Sequence, residues 1–201
     1  MKLIGQLDSP YVRRVAVSLA LYHVEFESLP LSVFGDFEAF SSLNPVVKAP
    51  TLILDDGTRL MDSSLILSYF ETQADAGHRL MHADTQATDL ALLGTLLAAC
   101  EKAVQHVYEH KLRPAEKQHQ PWTERVTGQL LAACAQWQTQ LASRPAGPQR
   151  PDQVAVTSAV VWSFIQRRIP DVVAAGQFAA IADHAREMET LDAFRRYPQS
   201  C

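Results

Sequence analysis

Two helix starts carry the polar groups in this sequence that are best placed for chemistry. Ser9 stands directly before Pro10, and Asp62-Ser63-Ser64 stands before an apolar run. Each is an N-cap signal, because a short polar side chain satisfies the free N–H groups of the first helical turn. A helix start also carries a partial positive charge, which suits a carboxylate ligand. The sequence therefore predicts a hydroxyl group at one helix start and an anion-binding group at the other.

A histidine pair and three cysteines are the remaining candidates for metal or redox chemistry. His106 and His110 lie four residues apart, a spacing that brings both side chains to one helix face and can bind a metal ion. No glutamate follows the first histidine directly and no third ligand is evident, so surface histidines are the favoured interpretation and no metal is predicted. An odd number of cysteines without C-x-x-C spacing predicts packing thiols and a tail residue, not a disulfide framework or a zinc site. These cysteines are Cys100, Cys134 and Cys201.

The chain around these helix starts reads as β-α-β followed by β-β-α over roughly residues 1–72. A β-α-β order predicts a parallel strand pair joined by a crossover helix. Helical spacing of the apolar residues places Arg13 and Arg14 on the outer side of the first helix. Residues 34–43 form either a short helix capped by Asp36 or a loop. The predicted strands are 2–6, 24–31, 51–54 and 58–61, the last two joined by an Asp-Asp-Gly turn, and the predicted helices are 10–23 and 62–72.

The composition changes after a polar, turn-rich segment, 73–85, which is the predicted linker. We expect a first domain of residues 1–74 and a second of residues 85–201. The second reads as all helix, and one of its helices, 154–169, is apolar on nearly every side, as a helix buried in the middle of a domain is. Trp122, Trp137 and Trp162 are expected in a core. The predicted helices of the second domain are 85–110, 121–141, 154–169, 176–187 and 190–197.

The 201 residues are 47% apolar with a net charge of −4, which allows a sizeable core and gives no basic surface for nucleic acid or an anionic membrane. No apolar window reaches the roughly 18 residues that a membrane span needs, and the first residues lack the pattern of a signal peptide. The expected location is the cytoplasm, and neither nucleic acid nor a membrane is an expected partner.

The stretch from Asn44 to Tyr69, NPVVKAPTLILDDGTRLMDSSLILSY, is the most specific part of the sequence. It resembles the second half of the thioredoxin-like domain of glutathione S-transferases. In that family N-P-x-x-K-x-P is followed by a strand, a D-G turn, a second strand and Glu/Asp-Ser at a helix start. The similarity in the order of elements covers essentially the full chain. The resemblance implies an α/β, thioredoxin-like N-terminal domain followed by an all-helical C-terminal domain.

The resemblance also implies where reduced glutathione, the expected co-substrate, would bind. The peptide bond before Pro50 would be cis, and the backbone of Ala49 would pair with the cysteinyl part of the tripeptide. Asp62 and Ser63 would hold the γ-glutamyl group. Lys48 is a candidate partner for a glutathione carboxylate, with a solvated lysine as the alternative.

Ser9 stands where the Ser-type members of this family keep a hydroxyl that hydrogen-bonds the glutathione sulfur. A free thiol has a pKa of about 8.5, and a hydroxyl donor with the positive end of a helix would stabilise the thiolate. The alternative is that Ser9 only caps its own helix, since an Oγ turned toward the N–H groups of Tyr11 or Val12 is turned away from a sulfur. Tyr11 and Gln6 are alternative polar groups. Cys-type members perform thiol transfer or disulfide reduction, so serine makes that chemistry less expected.

The predicted function is conjugation of glutathione to small hydrophobic electrophiles, a detoxification reaction, by a homodimer. The resemblance places the second-substrate pocket near the end of the first long helix, and its candidate residues are Tyr11, His106 and Tyr108. Two alternatives stay open. One is a glutathione-dependent reductase, dehalogenase or isomerase on the same scaffold, and the other is a non-catalytic binding or regulatory protein.

The buried helix of the second domain departs from the family pattern, which has Ser/Thr-x-x-Asp as a capping box at its start. If Asp152 is the cap, Ala155 stands where the reciprocal carboxylate is expected. If Asp152 is that carboxylate, Gln149 stands where the capping hydroxyl is expected. Both interpretations predict an incomplete capping box.

Overall fold

The structure, a computed structural model, describes residues 1–144 and 151–200, so the predicted role of Gln149 lies outside the described residues. The chain forms two compact units. The first combines Met1–His82 with Thr190–Cys201, and the second is Ala83–Glu189.

This division differs from the predicted domains 1–74 and 85–201. Leu80, inside the predicted linker, is buried in the core of the first unit. It is held there because the two carboxylate oxygens of Glu71 accept the backbone N–H groups of Leu80 and Met81, at 3.0 and 3.1 Å. After the second unit, the chain returns to the first at Thr190.

The first unit is built on a four-stranded sheet with the strand order β2-β1-β3-β4. β1 pairs with β2 in parallel, as the β-α-β order predicts, and the other pairs are antiparallel. The predicted second strand, 24–31, is shorter because the N–H of Val24 still bonds to the carbonyl of Leu19 and the chain joins β1 only at Glu27. The strands are β1 Lys2–Ile4, β2 Glu27–Leu29, β3 Thr51–Ile53 and β4 Arg59–Leu60.

The helices of the first unit are α1 Pro10–Leu21, α2 Phe37–Leu43, α3 Ser63–Gln73 and, from the end of the chain, α8 Asp192–Arg196. Residues 37–43 thus form the short helix that was one of two interpretations, but Asp36 does not cap it with its side chain, because its carboxylate accepts the N–H of Ser32 instead, at 2.9 Å. α1 packs against both α3 and α8. The expectation that Arg13 and Arg14 lie on the outer side of α1 is wrong, since both are buried. The ring of Phe194 on α8 lies 5.5 Å from the guanidinium carbon of Arg13, so a distant part of the chain covers that face.

The second unit is helical throughout its described residues, with α4 Gln86–Leu112, α5 Gln120–Ala142, α6 Gln153–Arg168 and α7 Ala179–Met188. The prediction of a buried helix is confirmed, since 12 of the 16 residues of α6 are buried. Trp137 and Trp162 are core residues, as predicted. The prediction that Trp122 lies in a core is wrong, since this residue of the first turn of α5 is 41% exposed. No helix in the described part of the chain is long and apolar enough to cross a membrane.

Asp152 is the N-cap of α6, which settles the two interpretations of its start. Its Oδ1 accepts the N–H of Ala155 at 2.8 Å. No carboxylate reciprocates from Ala155, and the guanidinium of Arg144 binds Asp152 instead, at 2.7 and 3.2 Å. The same guanidinium binds Asp89 at 2.8 Å, so one arginine joins the start of α6 to α4.

Candidate functional site

The loop between β1 and α1 presents Ser9 at the N-cap of α1. Its backbone is extended (φ −76°, ψ 123°), and its Oγ accepts the N–H of Val12 at 3.4 Å. This contact is longer than the 2.7–3.2 Å of an ordinary N–H···O bond, so the cap is weak. Ser9 is only partly buried.

Capping and catalysis do not exclude each other at this hydroxyl. A serine hydroxyl has one proton to donate and two lone pairs that accept. Since the bond from Val12 uses a lone pair of Ser9, the hydroxyl proton stays available for a thiolate. Ser9 can therefore cap α1 and donate to a sulfur at the same time, so these two roles compete less than the sequence suggests.

Gly5 brings this loop against the segment that precedes β3. Its φ of +135° lies in the region that favours glycine, and a Cβ built there would be 2.6 Å from Val12 Cγ2 and 3.1 Å from the Cβ of Ala49. The register of β1 with β3 pairs Ile4 with Thr51. The ends of these two strands therefore place Ala49 beside the start of the Ser9 loop.

The peptide bond between Ala49 and Pro50 is cis, as the resemblance implies. Neither backbone group of Ala49 makes a hydrogen bond to another residue within 1–144 and 151–200. An extended peptide has a free N–H and C=O with which to pair at this position. Lys48, next to Ala49, is exposed, which is compatible both with binding a glutathione carboxylate and with a solvated side chain.

Asn44 holds the loop that carries Ala49. It is buried, and its Nδ2 donates to Thr51 Oγ1 at 2.7 Å while its Oδ1 accepts the N–H of Val46 at 3.1 Å. Thr51 Oγ1 in turn donates to the carbonyl of Lys48 at 2.6 Å. The sequence identifies Asn44 only as part of an Asn-Pro turn, because a turn signal does not reveal that the side chain is buried.

The start of α3 has the expected cap. Asp62 Oδ1 accepts the N–H groups of Ser64 and Leu65 at 2.9 and 3.3 Å. Ser63 is buried, and its Oγ accepts from Nη1 of Arg14 at 3.3 Å. The site thus includes a cation that the sequence interpretation missed, because helical spacing places Arg14 on the outer side of α1.

The candidate residues of the second-substrate pocket lie in different units. His106 is buried, which corrects its interpretation as a surface residue: its Nδ1 lies 3.2 Å from Thr127 Oγ1, and its ring stacks on His110 with centroids 4.2 Å apart. Burial, and then the charge of His110, lowers the pKa of His106. Tyr108 is 43% exposed. Tyr11 belongs to the first unit, so the assignment of these residues to one pocket stays a prediction.

Among the described residues, no group of three or more His, Cys, Asp or Glu side chains is arranged to hold a metal ion. Burial raises the pKa of the Cys134 thiol to about 12, which suits a packing role. Cys100 is also buried and forms no disulfide within the described residues.

Comparison with known proteins agrees with this geometry. Residues 3–78 match the family model of the glutathione S-transferase N-terminal domain. The chain is 31% identical over 71 residues to the uncharacterized GST-like protein YibF of Escherichia coli K12, and 34% identical over 76 residues to a maleylacetoacetate isomerase of Pseudomonas aeruginosa. Each match covers 35% of this chain. The matched part is 35% of the E. coli protein and 36% of the isomerase, so the chain matches about a third of the length of each relative.

Solved structures match the chain over nearly its whole length. A glutathione transferase family member from Pseudomonas fluorescens Pf-5, with bound glutathione, has a TM-score of 0.82 at 26% identity and covers 100% of this chain and 99% of its own. A glutathione S-transferase from Methylobacillus flagellatus KT, with GSH bound, has a TM-score of 0.88 at 21% identity and covers 99% of both chains.

A thioredoxin-like sheet with a cis-proline, followed by an all-helical region, is the fold of a glutathione S-transferase. Residues 3–78 match the N-terminal domain of the glutathione S-transferase family, and the whole chain has the fold of that family.

Proposed function

We propose that the protein is a glutathione transferase that conjugates reduced glutathione to small hydrophobic electrophiles. The observation that carries this proposal is the Ser9 hydroxyl at the start of α1, which makes one long bond to Val12 and keeps its proton for a sulfur. The solved relatives with bound glutathione support the co-substrate.

In the proposed complex, the cysteinyl part of glutathione pairs with the backbone of Ala49, and Ser63 with the start of α3 holds the γ-glutamyl carboxylate. Asp62 caps α3 and fixes this start, while Lys48 is available to a second carboxylate. The thiol of glutathione then lies beside Ser9.

The reaction follows from stabilisation of the thiolate. Loss of the thiol proton to water or buffer leaves S⁻, which Ser9 stabilises by donating its hydroxyl proton in a hydrogen bond, and the positive end of α1 adds to this. The sulfur lone pair forms a C–S bond with the electrophilic carbon, whose leaving group departs with its bonding electrons. Ser9 forms no covalent bond.

The test is a calorimetric titration with reduced glutathione, together with the ultraviolet absorbance of its thiolate against pH. We expect binding with a thiol pKa well below the value of about 8.5 of a free thiol. In Ser9→Ala, binding should persist while the pKa rises and the rate with a model electrophile falls roughly a hundredfold.

The matched control is Ser68→Ala, which removes another hydroxyl of the first unit from an exposed position of α3. No binding at millimolar glutathione would overturn the proposal. Unchanged activity in Ser9→Ala would move the role to Tyr11 or Gln6.

A glutathione-dependent isomerase is the second candidate, because one curated relative is a maleylacetoacetate isomerase. Turnover of a cis-enone acid without consumption of glutathione would favour it. Binding without turnover of either substrate class would favour a regulatory protein.

We further propose that the protein acts in detoxification in the cytoplasm as a homodimer. Leu65 and Tyr69, one helical turn apart on α3, are 64% and 38% exposed, and a second copy of the chain would cover them. Sedimentation velocity should show a dimer that Leu65→Glu dissociates. A monomeric wild type would contradict this assembly. Tyr11, His106 and Tyr108 remain the proposed contacts of the electrophile.

A further inference from the structure

The segment 194–199 packs along α1 and reaches the loop that holds Ser9. The ring of Tyr197 stacks on Phe26 with centroids 5.3 Å apart, and its carbonyl accepts from Nε of Arg13 at 2.9 Å. Arg196 pairs with Glu25 at 2.8 Å on the exposed side. These contacts fix the path of the segment before it reaches Gln199.

Gln199 binds the residue directly before Ser9. Its Nε2 donates to the carbonyl oxygen of Asp8 at 2.9 Å. The carbonyl accepts, so the amide must present its NH₂ group there, and its Oε1 points the other way. That Oε1 is buried and has no hydrogen-bond partner within the described residues. A side chain that leaves a buried acceptor unpaired contributes little net stability.

The carbonyl of Asp8 and the N–H of Ser9 belong to one planar peptide group. Gln199 donates to the oxygen of this group, and the N–H of Ser9 donates to the carbonyl of Gln6 at 3.1 Å. The peptide plane is therefore held from both sides. Since this plane sets the direction in which the Cα–Cβ bond of Ser9 leaves the backbone, it also sets the position of the hydroxyl.

We infer that Gln199 is a positioning residue for the Ser9 hydroxyl, which it aims at the glutathione sulfur through the Asp8–Ser9 peptide group. This inference rests on the proposed function. Gln199 itself touches neither the sulfur nor the electrophile. Its effect should appear in the pKa of the bound thiol more than in the affinity for glutathione, because the backbone of Ala49 and the start of α3 bind the rest of the tripeptide.

The experiment compares Gln199→Ala and Gln199→Glu with Arg196→Ala. The glutamate keeps the length of the side chain and removes the donor. Arg196→Ala removes an exposed ion pair of the same segment and leaves the stacking of Tyr197 and the bond of Gln199 in place. We expect both Gln199 variants to raise the pKa of bound glutathione and to lower kcat/KM about tenfold, with less than about a twofold change in glutathione affinity. Arg196→Ala should behave as wild type.

Hydrogen–deuterium exchange of the peptide 5–13, measured without glutathione, provides a readout that does not depend on activity. Exchange should be faster in both Gln199 variants and unchanged in Arg196→Ala. Equal exchange in all proteins would overturn the inference. Faster exchange with an unchanged pKa of the bound thiol would also overturn the inference, since Gln199 would then stabilise the loop without positioning the Ser9 hydroxyl. If the wild type binds no glutathione, the proposed function fails and this role fails with it. The exchange data then still show separately whether Gln199 holds the loop.

Discussion

The Nη1 atom of Arg14 lies 3.3 Å from Ser63 Oγ and 3.2 Å from Ser64 Oγ. Arg14 is on α1 and is 3% exposed, while both serines lie in the first turn of α3. The helix that begins after Ser9 therefore also supports the start of α3. Because the guanidinium only donates, Ser63 Oγ accepts from it and keeps its own proton for an anionic ligand.

This arrangement predicts that Arg14→Met weakens glutathione binding. The Ser63 hydroxyl would lose the donor that orients it, and the start of α3 would lose a nearby positive charge. We expect about a tenfold higher Kd for glutathione, measured by calorimetry, with Arg14→Lys between Met and wild type. Arg79→Met is the control, since Arg79 is an exposed arginine of the same unit that, among residues 1–144 and 151–200, donates only to the carbonyl of Ala74. An unchanged Kd in Arg14→Met would show that Arg14 serves only the packing of α1.

Gly5→Ala should destabilise the first unit strongly. The new methyl group would lie 2.6 Å from Val12 Cγ2 and 3.1 Å from the Cβ of Ala49, in addition to the strain at a φ of +135°. We expect a loss of about 3 kcal/mol in the free energy of unfolding, measured with urea.

The control for this substitution is Gly57→Ala. Gly57 also has a positive φ, +86°, but a Cβ there meets nothing within 4 Å. In Gly57→Ala, backbone strain alone should lower the free energy of unfolding by about 1 kcal/mol. Equal losses in both variants would mean that the crowding at Gly5 is relieved by small movements of Val12.

Local signals predicted the parts of the fold that depend on neighbouring residues. The cap of α3 at Asp62 follows from the polar residues before an apolar run, and the cis bond at Pro50 was implied by the resemblance of the stretch Asn44–Tyr69 to glutathione S-transferases. The burial of Arg13 could not be predicted in this way, because its cover, Phe194 with the carbonyl of Tyr197, comes from the other end of the chain.

The same reason explains what was missed in the second unit and at the site. His106 is buried by a contact with Thr127, on the following helix, which helical periodicity within α4 does not show. Asn44 binds the hydroxyl of Thr51 and the N–H of Val46, and Gln199 binds the carbonyl of Asp8, in each case through the side-chain amide. Such bonds leave no pattern in the sequence, since many asparagines and glutamines are simply solvated.

Asp152 should be among the most sensitive residues of the second unit, because its side chain is 4% exposed and both caps α6 and binds Arg144. Asp152→Ala removes the cap and the ion pair, with an expected loss of about 3 kcal/mol in the free energy of unfolding. Asp152→Asn keeps an oxygen that accepts the N–H of Ala155, so it should lose about half as much. If urea unfolding shows the same stability for Asp152→Asn as for the wild type, the ion pair with Arg144 contributes nothing.

We expect the second unit to become less stable in mild acid, because of the lowered pKa of His184. Burial lowers the pKa of His184. The carbonyl of Ala155 at 3.2 Å and the carboxylates of Glu187 and Asp152 raise this pKa by smaller amounts than burial lowers it, and Arg144 has the smallest effect, which lowers it. The unfolded chain therefore binds a proton at about pH 6.5, where the folded protein does not yet bind one. The contribution of neutral His184 to the free energy of unfolding is complete above this pH. It is lost as the pH falls toward the lower pKa that His184 has in the folded protein.

The loss should approach at most about 1.4 kcal/mol per pH unit below pH 6.5. His184→Gln keeps a donor for the Ala155 carbonyl and cannot titrate, so its melting temperature should fall less than that of the wild type between about pH 7 and pH 5.5. His106, whose pKa is also lowered, remains in both proteins, and so do the carboxylates, so the difference between the two curves isolates His184. Parallel curves would show that His184 takes up its proton equally well in the folded and unfolded states, and would rule out burial as the control of its charge.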